Sequence, residues 1–486
     1  MTKTFGSARS VSQPSASNIA AFLAAARAAV GDAQVLTAAS DKDRFERDFW
    51  NQNRGTAAAV LRPGSTPEVA RIVALAAEHG VSIVPQSGNT GLVSGGIPDQ
   101  SGKEIVLSFE RMDKVRAIDP AGDHMIVEAG CVLQAVQQAA AEVGRFFPLA
   151  MGSGGSCRIG GNLSTNAGGI NVLRYGMARD LVLGLEVVLA DGSVLDLMRP
   201  LRKDNTGYDL KQLFIGAEGT LGIITAAALR LAALPRERVT VWLAVQNPDD
   251  ALKVFKHCRD AFGELISAFE LLCSDGVEIA VAQLPNAQRP IGGPRPWHLL
   301  IDLAWMFEQG LRERVESVLG SLLEEGICLD GTIAETEAQR ANMWRLREEQ
   351  SLAASKIGYI IRSDVTVPIA EIPNLLSAIA GWRGVIPDAV TVLPFGHLGD
   401  GNLHVNFMVP HARAKELSEP LLERLYDTVD RLRGSISAEH GIGRTKRRAV
   451  WARKPAAALD LSARIKRALD PDNRLNPGVV IDPSEL

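Results

Sequence analysis

The chain has 486 residues, of which 46% are hydrophobic and 22% are charged, and its formal net charge is −4. This composition excludes a disordered chain, and the length predicts two domains or one domain with a large insertion. Lysine and arginine are scattered, which excludes the concentrated basic surface of a nucleic-acid-binding protein. No apolar run is as long as a membrane-spanning helix, and the five cysteines include no Cys-x-x-Cys pair. We therefore expect no transmembrane segment, no disulfide framework and a cytoplasmic location.

The first elements of the chain indicate an α/β module. Residues 1–53 are predicted to form an N-terminal helical arm that contains a helix over Ile19–Val30. A strand-like run over Ala58–Arg62, an amphipathic helix over Thr66–His79 and a second strand over Val81–Pro85 follow. This strand–helix–strand order is typical of an α/β fold.

Three glycine-rich stretches follow this module, over Gln86–Gly96, Gly152–Gly169 and Lys203–Ile224. A hairpin over Leu181–Leu195 lies between the second and the third. Glycine-rich loops present backbone amides to anions, so three of them predict a long ligand such as a pyrophosphate joined to a planar ring. A dinucleotide fingerprint of the Rossmann type is disfavoured, because Cys157 stands where its third glycine belongs, and the chain contains no P-loop sequence.

The pattern changes at about residue 235, where strands and helices alternate without the earlier glycine clusters. Extended segments and helices in mixed order predict an α+β substrate domain. The expected strands are Val239–Val245 and Trp297–Met306, and the expected helices are Asp249–Phe262 and Leu311–Gly326.

Two arginines further along are candidates for binding a carboxylate. A helix is predicted over residues 344–351 and a strand over Tyr359–Pro368. Arg347 and Arg362 lie on these two elements, and a guanidinium can bind a carboxylate through two parallel hydrogen bonds. An ordinary ion pair on a helix surface is an equally good interpretation of Arg347 from this segment alone.

Three histidines in two short segments, Phe395–Phe407 and Ser437–Gly443, predict a metal site. Two imidazoles and a carboxylate suit a borderline divalent ion such as zinc, manganese or iron(II), and three protein ligands leave positions open for substrate. The remaining imidazole is then available for proton transfer. The pattern therefore indicates an enzyme.

Local geometry supports the metal site only in part. Residues 403–407 alternate like a strand, which places His404 and Asn406 on one face. The alternative is that both are ordinary polar residues on a solvated strand face. Glu439 and His440 are adjacent and would face opposite sides of a regular strand, so the following turn must bend the chain to bring both into one pocket.

These glycine-rich stretches and histidine segments together resemble the flavoenzymes with a vanillyl-alcohol-oxidase-type (PCMH-type) FAD domain. The resemblance covers nearly all of the chain after residue 50, and is greatest to D-2-hydroxyglutarate dehydrogenases and next to D-lactate dehydrogenases. It implies an α+β protein with a two-subdomain FAD-binding domain over residues 54–233. A substrate domain with an antiparallel sheet would span residues 234–430, and a C-terminal helical segment over 431–486 would return to the flavin.

The resemblance also implies the site residues. The implied FAD-binding residues are Gln86, Ser87, Gly88, Asn89, Thr90, Gly91, Gly152, Ser156, Gly160, Gly161, Asn162, Thr165, Gly168, Glu218, Gly222, Ile223 and Asn476. The implied metal ligands are His397, His404 and Glu439, and the implied catalytic base is His440. The implied substrate-binding residues are Arg347, Ser351, Arg362 and Asn406. Ser351 and Arg362 stand where the similar hydroxyglutarate enzymes carry threonine and lysine.

The implied activity is oxidation of a D-2-hydroxy acid, above all D-2-hydroxyglutarate, by hydride transfer to N5 of a non-covalent FAD, because the first loop has no histidine for attachment. A divalent metal, zinc with manganese or iron as alternatives, would acidify the substrate hydroxyl. The electron acceptor would be an electron-transfer flavoprotein, a quinone or a cytochrome, and the chain could form a homodimer. Two alternatives stay open, a D-lactate or broad-specificity D-2-hydroxy acid dehydrogenase and a non-catalytic flavin subunit of an electron-transfer complex.

Overall fold

A computed structural model describes residues 14–307, 309–483 and 485 of the protein. The first 13 residues of the predicted N-terminal arm lie outside the described residues. The strands, numbered in chain order, are β1 Val35–Leu36, β2 Ala57–Leu61, β3 Ile83–Gln86, β4 Glu104–Ser108, β5 Val115–Asp119, β6 His124–Glu128, β7 Arg145–Phe146, β8 Val182–Val188, β9 Val194–Asp196, β10 Ile223–Arg230, β11 Ala232–Ala233, β12 Glu237–Val245, β13 Ile266–Cys273, β14 Trp297–Trp305, β15 Asp330–Ile333, β16 Tyr359–Ile361, β17 Val365–Thr366, β18 Thr391–His397 and β19 Asn402–Val409. The α-helices are α1 Ala16–Val30, α2 Ala39–Lys42, α3 Thr66–His79, α4 Leu133–Glu142, α5 Ile159–Ser164, α6 Val172–Tyr175, α7 Lys211–Phe214, α8 Pro248–Phe262, α9 Ser274–Gln283, α10 Leu311–Glu324, α11 Glu337–Glu348, α12 Gln350–Ser355, α13 Ile372–Ala380, α14 Ala414–Arg431, α15 Arg447–Arg453 and α16 Ala456–Leu469.

The chain divides into two compact units. Unit 1 contains the described residues up to Ala167, then Met177–Ala232, and finally the chain from Glu439 onward. Unit 2 contains Gly168–Gly176 and Ala233–Ala438. Unit 1 is therefore built from three separate stretches of sequence. The domain limits given by the sequence analysis stay predictions.

The first sheet of unit 1 has the strand order β1-β2-β4-β3, in which β2, β4 and β3 run parallel. Helix α3 connects β2 to β3 and has the predicted bounds, because its ends carry strong local signals: Ser65 caps the N-terminus and Gly80 ends the helix in the left-handed conformation. Strand β4 lies between the two strands that the helix connects. Phe22 of α1 is fully buried in the same core as Ile72 of α3, so the described part of the predicted arm packs as part of unit 1.

The second sheet of unit 1 is antiparallel, with the order β5-β6-β10-β8-β9. The predicted hairpin is confirmed, since Val188 pairs with Val194 across a tight turn. Gly192 occupies that turn with φ at +85°, a backbone conformation that glycine adopts without strain. Strand β10 lies in the middle of the sheet and is almost entirely buried.

Unit 2 is built on one antiparallel sheet with the order β15-β12-β14-β13-β18-β19-β16, and β17 also pairs with β19. The predicted strands and helices between residues 239 and 326 are present, with ends that differ by a few residues. Strands β13, β18 and β19 lie side by side near the middle of the sheet. Each carries polar side chains that are buried among apolar neighbours.

Two segments that the sequence predicted as continuous elements are interrupted. The predicted helix over residues 344–351 breaks at Glu349, where α11 gives way to α12. The predicted strand over Tyr359–Pro368 is divided into β16 and β17. Between them, the Ser363 hydroxyl donates to the carbonyl of Val405 (2.8 Å) and accepts from its N–H (3.0 Å). This side chain thus takes the place of a backbone ladder pair and leaves Arg362–Asp364 as a loop.

Within the described part of the chain, no helix combines the length and the apolar character that crossing a lipid bilayer requires.

Candidate active site

The first glycine-rich loop of unit 1 begins where β3 ends and is fixed by amide side chains. Gln86 donates from Nε2 to the carbonyls of Phe45 (2.8 Å) and Gly96 (2.7 Å), so it joins both ends of the loop to the chain before it. Asn89 has φ at +51° and donates to the carbonyl of Arg47 (2.8 Å). These bonds hold the backbone of residues 87–89 in one conformation.

A cavity of about 720 Å³ lies beside this loop within unit 1. Of the residues implied by the resemblance, Gln86, Ser87, Gly88, Asn89 and Ser156 line it. The sequence analysis missed three arginines on its wall, Arg44, Arg47 and Arg158. Asp43, Asp48 and Glu110 also line the cavity, and Arg44 and Arg47 pair with Glu110 (2.7 Å) and Asp43 (2.6 Å). The groups that favour an anionic ligand such as a pyrophosphate are therefore mainly the backbone amides of the loop and Arg158.

The first two glycine-rich stretches pack against each other so closely that side chains are excluded. A Cβ atom on Gly88 would lie 2.6 Å from the carbonyl oxygen of Ser156, and one on Gly161 would lie 3.2 Å from Cβ of Ser87. Gly160 and Gly161 belong to α5, where the sequence analysis expected a loop. The packing explains why glycine is needed there, because two backbones approach within contact distance.

Other implied cofactor residues have structural roles. Asn162 is buried and donates to the sulfur of Cys157 (3.6 Å), and Thr165 donates from its hydroxyl to the carbonyl of Gly161 (3.0 Å). Gly222 packs against the side chains of Val187 and Phe214, and Ile223 begins β10. Gly168 belongs to unit 2. The cofactor roles of these residues, and those of Thr90, Gly91 and Gly152, stay predictions.

Glu218 and Asn476 form a buried polar cluster in unit 1. The carboxylate of Glu218 accepts from the backbone N–H of Ile442 (2.7 Å) and of Gly443 (2.9 Å). Burial outweighs these bonds and the charge of Lys446, and raises the pKa of Glu218 to about 7. Asn476 donates from Nδ2 to the carbonyl oxygens of Glu218 (2.8 Å) and Gly95 (2.9 Å).

Two features of unit 1 fit the binding of FAD. The cavity wall brings the closely packed glycine backbone at Gly88 together with Arg158, and these groups suit a pyrophosphate. Among the described residues, Oδ1 of Asn476 is buried without a hydrogen-bond partner, so it can accept a hydrogen bond from an N–H of a bound ring.

In unit 2, His397 contacts a carboxylate and a guanidinium. It ends β18, where its Nδ1 lies 2.7 Å from Oε1 of Glu270 and its Nε2 lies 3.0 Å from Nη2 of Arg347. The ring of His397 lies 5.7 Å from the ring of His404, centroid to centroid. Arg347, His397 and His404 are all buried, so the alternative of a solvated strand face is wrong for His404 and for the neighbouring Asn406.

Asp364 is the acidic residue that the sequence analysis missed. It is fully buried in the loop between β16 and β17, and it accepts from Nδ2 of Asn402 (3.0 Å) and from the backbone N–H of Ala438 (3.0 Å). Ligand atoms of Asp364 and His404 lie within 4.8 Å of each other, close enough to share one ion. The sequence signal that could have found it is the run of three polar residues Arg362-Ser363-Asp364, which interrupts an otherwise strand-like segment.

The return segment of unit 1 begins with Glu439 and His440, whose Oε1 and Nε2 atoms lie 3.6 Å apart. Imidazole nitrogen and carboxylate oxygen are the ligands of zinc and similar ions, so these donors fit a divalent metal. The assignment of His397 as a ligand stays a prediction.

The remaining implied substrate residues lie in unit 2. The amide of Asn406 donates from Nδ2 to the hydroxyl of Ser351 (3.0 Å) and accepts at Oδ1 from the N–H of Ser363 (3.2 Å). Arg362 donates to the carbonyl of Ile360 (3.4 Å), and burial lowers the pKa of its guanidinium. The structure thus joins Ser351 to Asn406, although they are far apart in the sequence.

Comparisons with known proteins identify the family. Residues 234–480 match the family described as "FAD linked oxidases, C-terminal domain", and residues 57–198 match "FAD binding domain". The chain belongs to the FAD-linked oxidases. This member of the family is 39% identical over 464 residues to a "Probable D-2-hydroxyglutarate dehydrogenase, mitochondrial" of Oryza sativa subsp. japonica, with 94% of this chain and 81% of that protein covered.

Two further comparisons, one of sequence and one of fold, agree with the assignment to this family. The chain is 34% identical to a "Putative D-lactate dehydrogenase", described as mitochondrial, of Schizosaccharomyces pombe, with 90% of this chain and 84% of that protein covered. Its fold is similar to that of p-cresol methylhydroxylase in a crystal structure with substrate bound, with a TM-score of 0.75 at 17% identity and with 97% and 98% of the two chains covered. The PCMH-type fold expected from the sequence is confirmed.

Proposed function

We propose that the protein is an FAD-dependent dehydrogenase that oxidises D-2-hydroxyglutarate, and related D-2-hydroxy acids such as D-malate, to the 2-oxo acid. One observation in unit 2 carries the proposal. The buried guanidinium of Arg347 contacts the imidazole of His397, which lies beside the imidazole of His404. This arrangement suits an anionic substrate that also binds a metal ion. Likeness to a D-2-hydroxyglutarate dehydrogenase over 94% of the chain supports the choice of substrate.

The cofactors would divide the chemistry with the protein. When bound, FAD supplies the hydride acceptor at N5, and a divalent ion held by His404 and Glu439, with His397 or Asp364 as a further ligand, lowers the pKa of the substrate hydroxyl. Zinc is the proposed ion, with manganese or iron as alternatives.

The protein's own residues bind the substrate and move its proton. Arg347 offers a buried guanidinium to the α-carboxylate, and Arg362 offers a second one to the distal carboxylate. Ser351 and Asn406, joined by their hydrogen bond, orient the substrate from one side. His440 removes the hydroxyl proton across a hydrogen bond of roughly 2.6–3.2 Å. Arg347 and Asn406 are buried, which keeps water from weakening their interactions with the substrate.

Anaerobic titration of the purified, flavin-containing protein with D-2-hydroxyglutarate, D-malate and D-lactate tests the proposal. We expect D-2-hydroxyglutarate to bleach the flavin absorbance at the lowest concentration. Bleaching by D-lactate alone would establish the second candidate, a D-lactate dehydrogenase, which the Schizosaccharomyces pombe relative supports. A flavin that none of these acids reduces would refute both candidates and indicate a non-catalytic flavin subunit.

One variant and one treatment separate the proposed roles. His440→Ala should retain flavin but lose its reduction by substrate, and rapid bleaching in this variant would remove His440 from the role of base. Chelation should abolish activity that Zn²⁺ or Mn²⁺ restores, whereas full activity without metal would refute the metal assignment. The proposed electron acceptor is an electron-transfer flavoprotein, a quinone or a cytochrome, the proposed location is cytoplasmic, and a homodimer is the proposed assembly.

A further inference from the structure

Glu270 is a completely buried carboxylate in β13 of unit 2 that has no part in the mechanism above. Its neighbours Phe269 and Leu271 are buried apolar residues of the same strand. A charged group in such surroundings destabilises a fold unless it is paired and hydrogen-bonded. Glu270 meets this condition, because the guanidinium of Arg347 and the imidazole of His397 both contact its carboxylate.

Both oxygens of this carboxylate are bonded to residues of the proposed site. Oε2 accepts from Nε of Arg347 (2.6 Å), and Oε1 lies 2.7 Å from Nδ1 of His397. Nη2 of Arg347 donates in turn to Nε2 of His397 (3.0 Å). The three bonds close a ring in which every donor faces an acceptor only if His397 carries its proton on Nδ1.

The sheet fixes two members of this ring relative to each other. Glu270 on β13 lies directly opposite His397 on β18 in the antiparallel register. Side chains of directly opposed residues point to the same face of a sheet. The carboxylate is therefore held by a central strand, and it can act on His397 without changing its own position.

We propose that Glu270 is a positioning residue that serves a metal ligand and a substrate-binding residue at the same time. It keeps the proton of His397 on Nδ1, so that Nε2 presents its lone pair to the metal, and it holds the guanidinium of Arg347 by its Nε edge. Nε2 of His397 has one lone pair, so a metal ion bound there displaces Nη2 of Arg347. Both hydrogen bonds of Glu270 can persist whether Nε2 of His397 binds the metal ion or Arg347. Metal binding and release of Nη2 toward the substrate carboxylate are thereby coupled. This inference rests on the proposed function, which assigns metal binding to His397 and substrate binding to Arg347.

Glu270→Gln is the first test, with Asp302→Asn as the matched control. An amide offers one acceptor in place of two, so either Nδ1–H of His397 or Nε–H of Arg347 must face an N–H₂ group. Removing such a supporting carboxylate typically weakens metal binding or activity by about 10–100-fold. Asp302 is also buried in this sheet, on β14, and lies 3.6 Å from an arginine, Arg340, that has no role in the proposed site.

The measurements are the dissociation constant for Zn²⁺, by competition with a chromogenic chelator, and KM for D-2-hydroxyglutarate in the flavin-containing enzyme. We expect Glu270→Gln to raise both by about 10–100-fold, Glu270→Asp to recover part of the loss, and Asp302→Asn to match the wild type. Folded Glu270→Gln protein with both constants within twofold of the control would overturn the proposal.

A wild-type measurement decides the case in which Glu270→Gln fails to fold. Nitrogen-15 NMR of histidine-labelled protein reports which ring nitrogen of His397 is protonated, with the signal assigned by His397→Gln. A proton on Nδ1 is expected, and a proton on Nε2 would overturn the proposal. If no D-2-hydroxy acid reduces the wild-type flavin, the proposed function fails, whereas the zinc affinity and the tautomer still decide the role of Glu270.

Discussion

Asp470→Asn should destabilise unit 1 by about 3–5 kcal/mol, because it removes the charge that faces a completely buried ammonium group. Lys466 of α16 is not exposed at all, and its Nζ bonds to Oδ2 of Asp470 (2.6 Å) and to the carbonyls of Thr220 (2.7 Å) and Leu475 (2.8 Å). Oδ2 of Asp470 also accepts from the N–H of Leu475 (2.8 Å). An amide nitrogen in place of Oδ2 would face two donors, Nζ of Lys466 and the N–H of Leu475, and could accept a hydrogen bond from neither.

Asp460→Asn is the matched control, because Asp460 pairs with Arg464 at the same i,i+4 spacing within α16, the helix that ends just before Asp470. Both of those side chains are more than half exposed, so the control should cost no more than about 0–1 kcal/mol. Thermal and urea unfolding of the full chain, followed by tryptophan fluorescence, measure the difference. We expect the buried variant to melt on the order of 10 °C lower, at about 2–4 °C per kcal/mol. Equal losses in the two variants would refute the reasoning from burial.

Three further predictions concern the site. Because the pKa of Glu218 is raised from 4.5 to about 7, its contribution to stability is present below pH 4.5 and is lost as the pH rises through 7. Between pH 5 and pH 8, wild type should therefore lose about 2.5 kcal/mol of stability relative to Glu218→Gln. A difference in urea midpoints that stays the same at the two pH values would contradict this. Arg362→Met should lower kcat/KM for D-2-hydroxyglutarate by about 10–100-fold and leave D-lactate unaffected, because lactate has no distal carboxylate; equal losses for the two acids would exclude that role. Asn476→Ala should raise the FAD dissociation constant by about tenfold, and full flavin retention on dilution would argue against a contact with the ring.

Local signals were sufficient to predict the scaffold of the cofactor site. The bounds of α3 follow from Ser65 and Gly80 at its two ends, and the hairpin before β9 follows from Asp191 and Gly192 in its turn. Each of these signals lies within a few residues of the element that it determines. The glycine-rich loop after β3 could be predicted for the same reason.

The polar support of the substrate site could not be predicted, because its partners are distant in the sequence. Glu270 is a lone acid in an apolar run, and its partners Arg347 and His397 come 77 and 127 residues later. Only the register of β13 against β18 brings them together. Asp364 was missed for a related reason, since a side chain, Ser363, replaces the backbone pairing that defines a strand.

The three-stretch construction of unit 1 has a consequence for how the protein is made. On the ribosome, residues up to Ala232 emerge before the main part of unit 2, Ala233–Ala438, and the segment from Glu439 emerges only after it. The backbone amides of that last segment bind Glu218. At about 5–20 residues per second, synthesis of residues 233–438 delays that segment by roughly 10–40 s. During this interval the nascent first unit exposes the apolar surface that the segment from Glu439, with Leu475, later covers. Chaperones that protect such surfaces should be engaged then, and a stop codon placed directly after Ala438 should yield insoluble product.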